Sequence, residues 1–359
     1  MLQTVIMAGG SGTRFWPQSR RELPKQFLRM TGDETLIQQA ANRCQPAIAE
    51  GQMWIVTGAA HAVETARQLP KVPANQILVE PCGRNTAPCI GLAAIQMLAV
   101  DPEAIMLVMP ADHVIEPTEK FQQAVAQAVS LIADDPSTMV LFGVEPDYPS
   151  TGFGYIQRGE KVATTSCPTY RVKSFHEKPN LLTASRFMAT SEYYWNCGIF
   201  VWRAQTILDA LKEFSPEITE RLERLRSGIQ TDRWHELLEV EFPQMPSISI
   251  DYAVLEKAAG RVCVLEAPFD WDDVGSWQAL PRLFPSDREG NTIDGLCCSI
   301  DTTGCIVRSD DKHLIATIGI KDLIIVHTPS ATLVADKRDE SSLKKLIAEI
   351  EKRGLTDYL

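Results

Sequence analysis

Short apolar runs alternate with longer helical patterns along the first half of the chain. The runs are TVIMA, MWIVTG, AIMLVMP and TMVLFGV, beginning at residues 4, 53, 104 and 138. Between the last two, residues 117–133 repeat apolar positions with the period of a helix. The shared face carries Phe121, Ala124, Val125, Ala128 and Ile132. Apolar strands separated by helices predict a mostly parallel sheet that is covered on both faces.

Two polar segments follow strands of this predicted sheet. A glycine-rich loop follows the first apolar run, and Asp112 follows the run AIMLVMP. Open sheets of this kind bind ligands beyond the carboxyl ends of their strands. We therefore expect the glycine loop and Asp112 at one binding edge.

The pattern changes after about residue 285. Residues 291–335 consist of short β-type runs separated by turn residues, with no helical period. They are typical of the turns of a small β-helix, although the repeat is irregular. Residues 339–353 then form an amphipathic helical pattern that Gly354 ends. Its apolar face carries Leu343, Leu346, Ile347 and Ile350.

Charge and cysteine usage narrow the class of protein. The formal net charge of −11 argues against a general binder of nucleic acid or of membranes. The nine cysteines include no CxxC pair, so we expect reduced thiols in a cytoplasmic protein rather than disulfides or a zinc site. No apolar run has transmembrane length, and the N-terminus does not have the pattern of a signal peptide.

The glycine loop fits neither of the two common nucleotide fingerprints. A dinucleotide motif GxGxxG counted from Gly10 would need a third glycine where Phe15 stands, and GxxxxGK[ST] is absent. Glycines still allow backbone N–H groups to face an anion, and Arg14 and Lys25 add positive charge. The loop therefore predicts a phosphate cradle, with a solvated basic loop as the alternative.

Eight motifs in order carry a resemblance to a known family. GGSGTRFWPQSR at 9–20, followed by PKQF at 24–27, resembles the signature of sugar-phosphate nucleotidyltransferases, in the variant of the mannose-1-phosphate guanylyltransferases. The motifs that follow in the family's order are EPCGRNTAP at 80–88, MPADH at 109–113, TGFGYI at 151–156, FHEKP at 175–179, NCGIF at 196–200, SIDYAVLEK at 249–257 and WDDVGSW at 271–277. The resemblance covers nearly the whole chain.

The resemblance implies an α/β fold of two parts. Residues 1–284 would form a Rossmann-like, GT-A-like nucleotidyltransferase domain with a mixed, mostly parallel sheet and flanking helices. Residues 285–359 would form a short left-handed β-helix-like segment with a terminal helix. Larger relatives carry an isomerase domain after this region. Since the sequence ends at Leu359, we expect a single activity.

The implied reaction transfers GMP from GTP to α-D-mannose 1-phosphate and gives GDP-mannose and pyrophosphate. In the resemblance, the backbone of Gly9, Gly10 and Gly12 holds the nucleotide and its phosphates. Arg14 would grip the pyrophosphate, and Lys25 the reacting phosphates.

The metal of the implied reaction is Mg²⁺. The motifs assign Asp112 and Asp273 as its carboxylate ligands. We expect Asp272 to be a solvent-facing neighbour. His113 is interpreted as an orienting or packing residue rather than a ligand.

The segment Glu80–Pro88 is the implied base-reading segment. Its nucleotide-binding candidates are Glu80, Arg84, Asn85 and Thr86. An alternative is that Asn85 or Thr86 caps the helix predicted to run to Val100.

The other motifs imply contacts with the sugar phosphate. Gly154, Glu177 and Asn196 are the candidates for binding the sugar, and Lys178 for binding its phosphate. The structural alternatives are a surface ion pair for Glu177 and Lys178 and turn positions for Gly154 and Asn196. Pro179 is expected to break the strand alternation that would separate Glu177 from Lys178.

Five further positions have simple interpretations. Asp251 is either a support for the sugar site or a helix N-cap, and the sequence leaves both open. Cys197 is interpreted as a small apolar residue rather than a nucleophile. Trp16, Trp195 and Trp271 are interpreted as core residues.

The β-helical segment and the terminal helix contain no chemical motif. Their strand edges and apolar helix face suggest a homodimer through the C-terminal region, with packing onto the catalytic domain as the alternative. Three other functions stay open: a transferase for another hexose 1-phosphate, a non-catalytic sugar-nucleotide-binding subunit and a nicotinamide-dependent oxidoreductase.

Overall fold

The computed structural model describes residues 1–10, 12–162, 166–309 and 312–359, without the side chains of residues 340 and 341. Two compact units are present. The sheet unit holds Met1–Gly9, Ala40–Ala111 and Ile115–Trp271, and the β-helix unit holds Gly10–Gln39, Asp112–Val114 and Asp272–Leu359. The glycine loop beyond Gly9 thus belongs to the same unit as the C-terminal segment.

A nine-stranded sheet forms the centre of the sheet unit. Its strands are β1 (Leu2–Met7), β2 (Met53–Gly58), β3 (Ile77–Glu80), β4 (Ile105–Pro110), β6 (Met139–Val144), β7 (Tyr155–Lys161), β8 (Thr169–His176), β9 (Tyr193–Arg203) and β10 (Val262–Glu266). Two short strands, β5 (Val114–Glu116) and β11 (Asp270–Asp272), lie where the chain passes between the units.

The sheet is mixed. The strand order is β3-β2-β1-β4-β9-β6-β10-β8-β7, with a further β9–β7 pairing. The pairs β2–β3, β1–β2, β1–β4 and β6–β10 are parallel. Strand β9 is antiparallel to β4, β6 and β7. The four predicted apolar runs became β1, β2, β4 and β6, and their burial on both faces explains their near-continuous apolar sequence.

The α-helices of the described ranges are α1 (Leu36–Asn42), α2 (Ala62–Gln68), α3 (Thr86–Val100), α4 (Thr118–Asp134), α5 (Leu181–Thr190), α6 (Ala204–Phe214), α7 (Pro216–Arg226), α8 (Trp234–Glu241), α9 (Leu280–Leu283) and α10 (Leu343–Lys352). The predicted face of α4 is buried at all five positions, from Phe121 to Ile132. α3 is apolar nearly all round and belongs to the main core of the sheet unit. Gly91 allows α7 to approach α3, because a Cβ there would lie 2.5 Å from Leu222 Cδ1.

The C-terminal strands pair as stacked coils. They are β12 (Thr292–Asp294), β13 (Cys297–Ile300), β14 (Ile306–Ser309), β15 (Ile315–Ile318), β16 (Leu323–His327) and β17 (Thr332–Asp336). One sheet has the order β12-β14-β16-β17, and β13 pairs with β15 in a second sheet. All these pairs are parallel except β16–β17. The predicted β-helix-like segment is therefore confirmed.

The terminal helix begins later than its sequence pattern predicts. Residues Lys337–Ser342 form 3₁₀ turns, and α10 follows from Leu343. Gly354 has φ +72°, the left-handed conformation that ends helices, as predicted. The boundary between domains at residue 284/285 stays a prediction.

No helix in the described ranges is both long and apolar enough to cross a membrane. The nine cysteines all lie within those ranges, and none of them forms a disulfide.

Candidate active site

The β-helix unit holds the glycine loop against the turn that carries Lys25. Gly10 and Gly12 have φ +111° and +55°, a region that favours glycine. A Cβ on Gly12 would lie only 2.4 Å from the backbone nitrogen of Lys25. Lys25 begins a 3₁₀ turn, Lys25–Phe27, whose three residues are all buried. The loop glycine is thus needed for the close approach of the two segments.

Lys25 gathers the two candidate metal aspartates. Its Nζ lies 2.8 Å from Asp112 Oδ2 and also donates to the backbone carbonyl of Asp273. Asp273 Oδ1 accepts a hydrogen bond of 3.1 Å from the N–H of Gly275, where a Cβ would lie 2.8 Å from Asp273 Oδ2. We call Gly10, Gly12, Arg14, Lys25, Asp112 and Asp273 the phosphate cluster. The sequence separates these residues widely, and the fold of this unit brings Lys25, Asp112 and Asp273 together.

The two aspartates of the phosphate cluster have opposite pKa shifts. Burial raises the pKa of Asp112, but the charges of Lys25 and His113 and the hydrogen bond from Lys25 outweigh it, so the net pKa is lowered. Burial also raises the pKa of Asp273, and the neighbouring carboxylates of Asp272 and Asp112 raise it further against the charge of Lys25. A cation beside Asp273 would therefore offset the unfavourable charge around its ionised carboxylate.

The neighbours of the aspartates have distinct roles. The ring of His113 is largely buried, with Nε2 3.9 Å from Asp112 Oδ1. Its orienting or packing role stays a prediction. The expectation that Asp272 faces solvent is wrong: its side chain is 11% exposed and pairs with Arg282. Its Oδ1 also accepts a 2.7 Å hydrogen bond from the N–H of Val274. Asp272 thus fixes the turn on which Asp273 stands.

The aromatic residues of the signature are core residues. Phe15 is fully buried, and its ring lies 5.0 Å from that of Trp277 in an edge-to-face contact. Trp16 is buried in the same core, and its carbonyl accepts a hydrogen bond from Trp277 Nε1. The position where a dinucleotide fingerprint needs glycine is therefore filled by a packed ring.

The carboxylates of the phosphate cluster suit Mg²⁺. This ion prefers oxygen ligands and is commonly held by one or two carboxylates together with substrate phosphates. Asp112 and Asp273 supply two carboxylates beside one lysine. In the described part of the chain, no group of three or more His, Cys, Asp or Glu side chains could hold a metal by itself. The residues thus fit an ion that shares its remaining ligands with a phosphorylated substrate.

In the sheet unit, the candidate base-reading segment begins with a buried carboxyl. Glu80 ends strand β3 and is 7% exposed. Its Oε1 is buried, and no hydrogen-bond partner for it exists among the described residues. Burial raises the pKa of Glu80 to about 7, although a hydrogen bond with Cys89 lowers it. A buried acceptor without a donor is costly unless a ligand supplies one.

The rest of this segment is organised around the start of α3. Asn85 has φ +65°, and its side chain accepts a 2.8 Å hydrogen bond from the N–H of Thr86, so it caps the helix. Thr86 Oγ1 accepts a 2.8 Å bond from the N–H of Ile250. Arg84 donates to the carbonyl of Pro243. The capping alternative therefore describes Asn85. Thr86 Oγ1 is used within the protein, whereas Arg84 Nε is buried and has no hydrogen-bond partner among the described residues.

Three candidate sugar-binding residues of the sheet unit lie together. The N–H of Asn196 donates to the carbonyl of Gly154 at 2.8 Å. A Cβ on Gly154 would lie 2.5 Å from Glu177 Oε2, so only glycine leaves room for that carboxylate. The side chain of Glu177 is 6% exposed, and its other oxygen pairs with Lys178 Nζ at 2.8 Å. Both residues follow the end of β8 at His176, where strand alternation no longer applies.

Asp251 completes this group, and sequence reasoning left its role open. Its Oδ1 accepts a 2.9 Å hydrogen bond from Asn196 Nδ2. Burial and the charge of Glu177 raise the pKa of Asp251 to about 6. We call Gly154, Glu177, Lys178, Asn196 and Asp251 the sugar cluster. The sequence could have indicated Asp251 only through its place in the SIDYAVLEK motif.

Two further contacts of the sugar cluster were missed. Glu256 accepts a 3.1 Å hydrogen bond from the N–H of Glu177. Segment 248–251 connects to the base-reading segment, because Ala87 N donates to the carbonyl of Ile248 and Ile250 N donates to Thr86. The sequence gives no sign of either contact beyond the SIDYAVLEK motif in which Glu256 and Ile250 lie.

The remaining interpretations from sequence fit the structure. Burial raises the pKa of Cys197 to about 12, so its thiol is not a nucleophile near neutral pH. Trp195 is buried and packs edge-on against Phe153 at 5.1 Å. Trp271 packs edge-on against Phe153 at the same distance.

Two family profiles match the chain in succession. The profile described as "Nucleotidyl transferase" covers residues 3–290. The profile described as "MannoseP isomerase/GMP-like beta-helix domain" covers residues 295–350. Together they span the α/β and β-helix-like parts of the predicted fold.

Named relatives match over nearly the whole chain. A "Mannose-1-phosphate guanylyltransferase" of Escherichia coli is 39% identical, covering 100% of this chain and 76% of that protein. The "Alginate biosynthesis protein AlgA" of Pseudomonas aeruginosa is 37% identical, covering 98% of this chain and 73% of that protein. A crystal structure named "mannose-1-phosphate geranyltransferase", from Thermus thermophilus, has 32% identity and a TM-score of 0.86, covering 98% of this chain and 99% of that one. The chain therefore belongs to the nucleotidyl transferase family, among the mannose-1-phosphate guanylyltransferases.

Proposed function

We propose that the protein transfers GMP from GTP to α-D-mannose 1-phosphate, giving GDP-mannose and pyrophosphate. The observation that carries the proposal is the meeting of Lys25 with Asp112 and the backbone of Asp273. A buried cation beside two carboxylates suits a reaction between two polyanions. Unit charges 4 Å apart repel by about 1 kcal/mol in water and about 4 kcal/mol at an effective dielectric of 20.

The chemistry needs positioning and charge compensation and no covalent enzyme intermediate. A phosphate oxygen of the sugar phosphate forms a bond to the α-phosphorus in line as the bond to the β-phosphate oxygen breaks. The released electron pair leaves on pyrophosphate. Lys25 compensates charge on the reacting phosphates, and the exposed Arg14 compensates charge on pyrophosphate.

Asp112 and Asp273 would hold Mg²⁺, with the phosphates completing its ligands. When bound, this ion supplies positive charge against the triphosphate and orients its oxygens. The main-chain N–H groups around Gly9, Gly10 and Gly12 bind the nucleotide phosphates.

Glu80 selects the base in this proposal. Guanine presents two adjacent donors, N1–H and N2–H₂, whereas adenine presents an acceptor at N1. The ionised carboxyl of Glu80 only accepts hydrogen bonds, and its buried Oε1 has no described partner. Arg84, Asn85 and Thr86 shape the segment that carries it. A polar site of this kind rejects a base that leaves its groups unpaired.

The sugar cluster binds mannose 1-phosphate in this proposal. Glu177 and Asn196 accept and donate hydrogen bonds to hydroxyls, and Gly154 leaves the room that Glu177 needs. Lys178, 58% exposed at its side chain, contacts the sugar's phosphate.

Three wider statements belong to the same proposal. Residues 1–284 and 285–359 act as a catalytic domain and a left-handed β-helix-like domain. The protein works in the cytoplasm and forms a homodimer through the C-terminal region. The support for the dimer is an apolar face formed by β13, β15 and the residue before each strand, where Leu296, Ile300, Leu314 and Ile318 are each at least half exposed.

The test is release of pyrophosphate with mannose 1-phosphate and Mg²⁺, offered with GTP, ATP, UTP or dTTP, and then with glucose 1-phosphate and GTP. Release with GTP and mannose 1-phosphate alone supports the proposal. Release with another pair would agree with the role proposed for the phosphate cluster, but it would contradict the role given to Glu80 or to the sugar cluster.

Two other outcomes of binding and turnover measurements would indicate a different class of protein. Binding of GTP without turnover for any pair would indicate a non-catalytic sugar-nucleotide-binding subunit. Saturable binding of a nicotinamide cofactor, with no release of pyrophosphate, would indicate an oxidoreductase.

A further inference from the structure

Arg308 is a buried cation of the β-helix unit outside the phosphate cluster. It lies in β14, directly opposite Asp294 of β12 in the register of the two strands. Its side chain is 8% exposed, and Nη1 lies 3.0 Å from Asp294 Oδ2. A buried arginine is costly to desolvate, and its ion pair is weak evidence of a gain in stability. Its other contacts therefore carry the information about its role.

Those contacts are with Arg29 and Met30, which follow the 3₁₀ turn Lys25–Phe27. Nη2 of Arg308 donates to the carbonyl of Arg29 at 2.5 Å, and Nη1 lies 3.5 Å from the carbonyl of Met30. Arginine is suited to this arrangement because its planar fork reaches several acceptors in fixed directions. One side chain of the β-helix thus holds two successive carbonyls just after the signature motif PKQF.

The Lys25 turn, residues 25–30, is held on both sides. At its start, the backbone of Lys25 packs so closely against Gly12 that a Cβ on Gly12 would lie 2.4 Å from Lys25 N. Within it, the N–H of Leu28 donates to the carbonyl of Lys25 at 2.9 Å. At its end, Arg308 holds Arg29 and Met30. Since Lys25 Nζ meets Asp112 and Asp273, the position of this turn sets the geometry of the phosphate cluster.

The hydrophobic core of the unit joins the same parts. It contains Leu28 and Met30 of the turn, Val274 beside Asp273, and Ile306 and Ile324 of the β-helix. The apolar contacts hold the turn against the core but do not fix its orientation, because burial is not directional. The hydrogen bonds that the Arg308 guanidinium donates are directional, so they fix the orientation of the turn.

We propose that Arg308 is a positioning residue for nucleotidyl transfer, acting from the β-helix through the Lys25 turn. The proposal deepens the proposed function and rests on the role given there to Lys25. It implies that Arg308 connects the β-helix to the catalytic machinery, in addition to any role of the β-helix in self-association.

The experiment compares Arg308→Met, Arg308→Lys and Val307→Ala. Val307 is the matched control, because it precedes Arg308 in β14 and packs in a separate core with Cys305 and Ile325, away from the turn. The first measurement is hydrogen exchange of the amides of residues 25–30 without any nucleotide. The second is kcat and KM for GTP and for mannose 1-phosphate, alongside the melting temperature.

We expect Arg308→Met to speed exchange in the turn by about fivefold or more. It should lower kcat by about 10- to 100-fold, while KM for mannose 1-phosphate stays within about twofold. Arg308→Lys should fall between wild type and Arg308→Met, since one ammonium cannot reach both carbonyls and Asp294. Val307→Ala should lower the melting temperature and leave exchange in the turn and kcat near wild type.

The proposal is overturned if exchange in the turn and kcat respond to Arg308→Lys and Arg308→Met no more than to Val307→Ala. Should Arg308→Met fail to fold, Arg308→Lys decides by the same two measurements. Absence of turnover in the wild-type protein would contradict the proposed function, whereas exchange in the turn would still test the positioning role separately.

Discussion

At the scale of single residues, Glu80 links burial to the choice of base. Burial raises the pKa of Glu80 to about 7. Above that pH the carboxyl is ionised and can accept from guanine, and below it the carboxyl carries a proton and offers only one free acceptor. We expect Kd for GTP to rise by up to about tenfold between pH 8 and pH 6, measured by calorimetry without sugar phosphate.

Glu80→Gln is the matched variant, because it removes the titration and keeps the shape. The variant should bind GTP more weakly than the wild type at pH 8. Between pH 8 and pH 6 its affinity should lack the change of up to about tenfold that titration of Glu80 causes in the wild type. The role in base selection is contradicted if the variant keeps both the affinity and the pH profile of the wild type.

Gly154 tests the sugar cluster at the same scale. In Gly154→Ala the new Cβ would stand 2.5 Å from Glu177 Oε2, so the carboxylate must move. We expect KM for mannose 1-phosphate to rise by about tenfold or more, with KM for GTP little changed. Gly152→Ala is the control, since its Cβ would make only an ordinary contact with Ser150 Oγ at 3.6 Å. Equal kinetic effects of the two substitutions would refute the assigned role.

The sequence predicted which residues lie in the candidate site better than it predicted the contacts of those residues. The motifs located Lys25, Asp112 and Asp273, which meet in one unit. They could not show that Asp272 is buried against Arg282, or that Asp251 bonds to Asn196. Those facts depend on partners distant in the sequence. Spacing along the chain carries no information about them.

At the scale of elements, the Lys25 turn depends on Gly12. Gly12 and Gly32 both have positive φ, so alanine is strained at either position. Only at Gly12 does the Cβ meet the protein, 2.4 Å from Lys25 N, whereas at Gly32 nothing lies within 4 Å. We expect Gly12→Ala to lower kcat by about 10- to 100-fold and Gly32→Ala to change it little. Kinetics of both variants, with melting temperatures, provide the measurement.

The stability and kcat of the two variants can also contradict this role of Gly12. If Gly12→Ala and Gly32→Ala lose stability alike and keep kcat, the contact between the glycine loop and the turn has no part in catalysis.

Elements with a strong period were predictable, and their pairings were not. The apolar runs of β1, β2, β4 and β6 and the buried face of α4 follow from hydrophobic pattern alone. The insertion of β9 between β4 and β6, antiparallel to both, has no local signal. The 3₁₀ turns at Lys337–Ser342 were likewise not predicted, because these residues are all polar and have no apolar period that would mark where α10 begins.

At the scale of the whole molecule, the exposed face of β13 and β15 predicts self-association. Ile300 and Ile318 are register partners on this face and are 57% and 73% exposed. We expect the wild-type protein to have twice the mass of a single chain by light scattering, and Ile318→Glu to have the single-chain mass. Val63→Glu is the control, since Val63 is 83% exposed in α2 of the sheet unit. A wild-type monomer, or an unchanged dimer in Ile318→Glu, would contradict this surface.

The central claim is that Lys25, Asp112 and Asp273 form the reacting centre, and two adjacent aspartates test it most directly. The measurement is pyrophosphate release from GTP and mannose 1-phosphate with Mg²⁺ for Asp273→Asn and Asp272→Asn, at matched folding. We predict a loss of about 1,000-fold or more for Asp273→Asn. For Asp272→Asn we predict a loss within about tenfold, because its carboxylate supports the turn and pairs with Arg282. Equal activity of the two variants, or a larger loss for Asp272→Asn, would contradict the account.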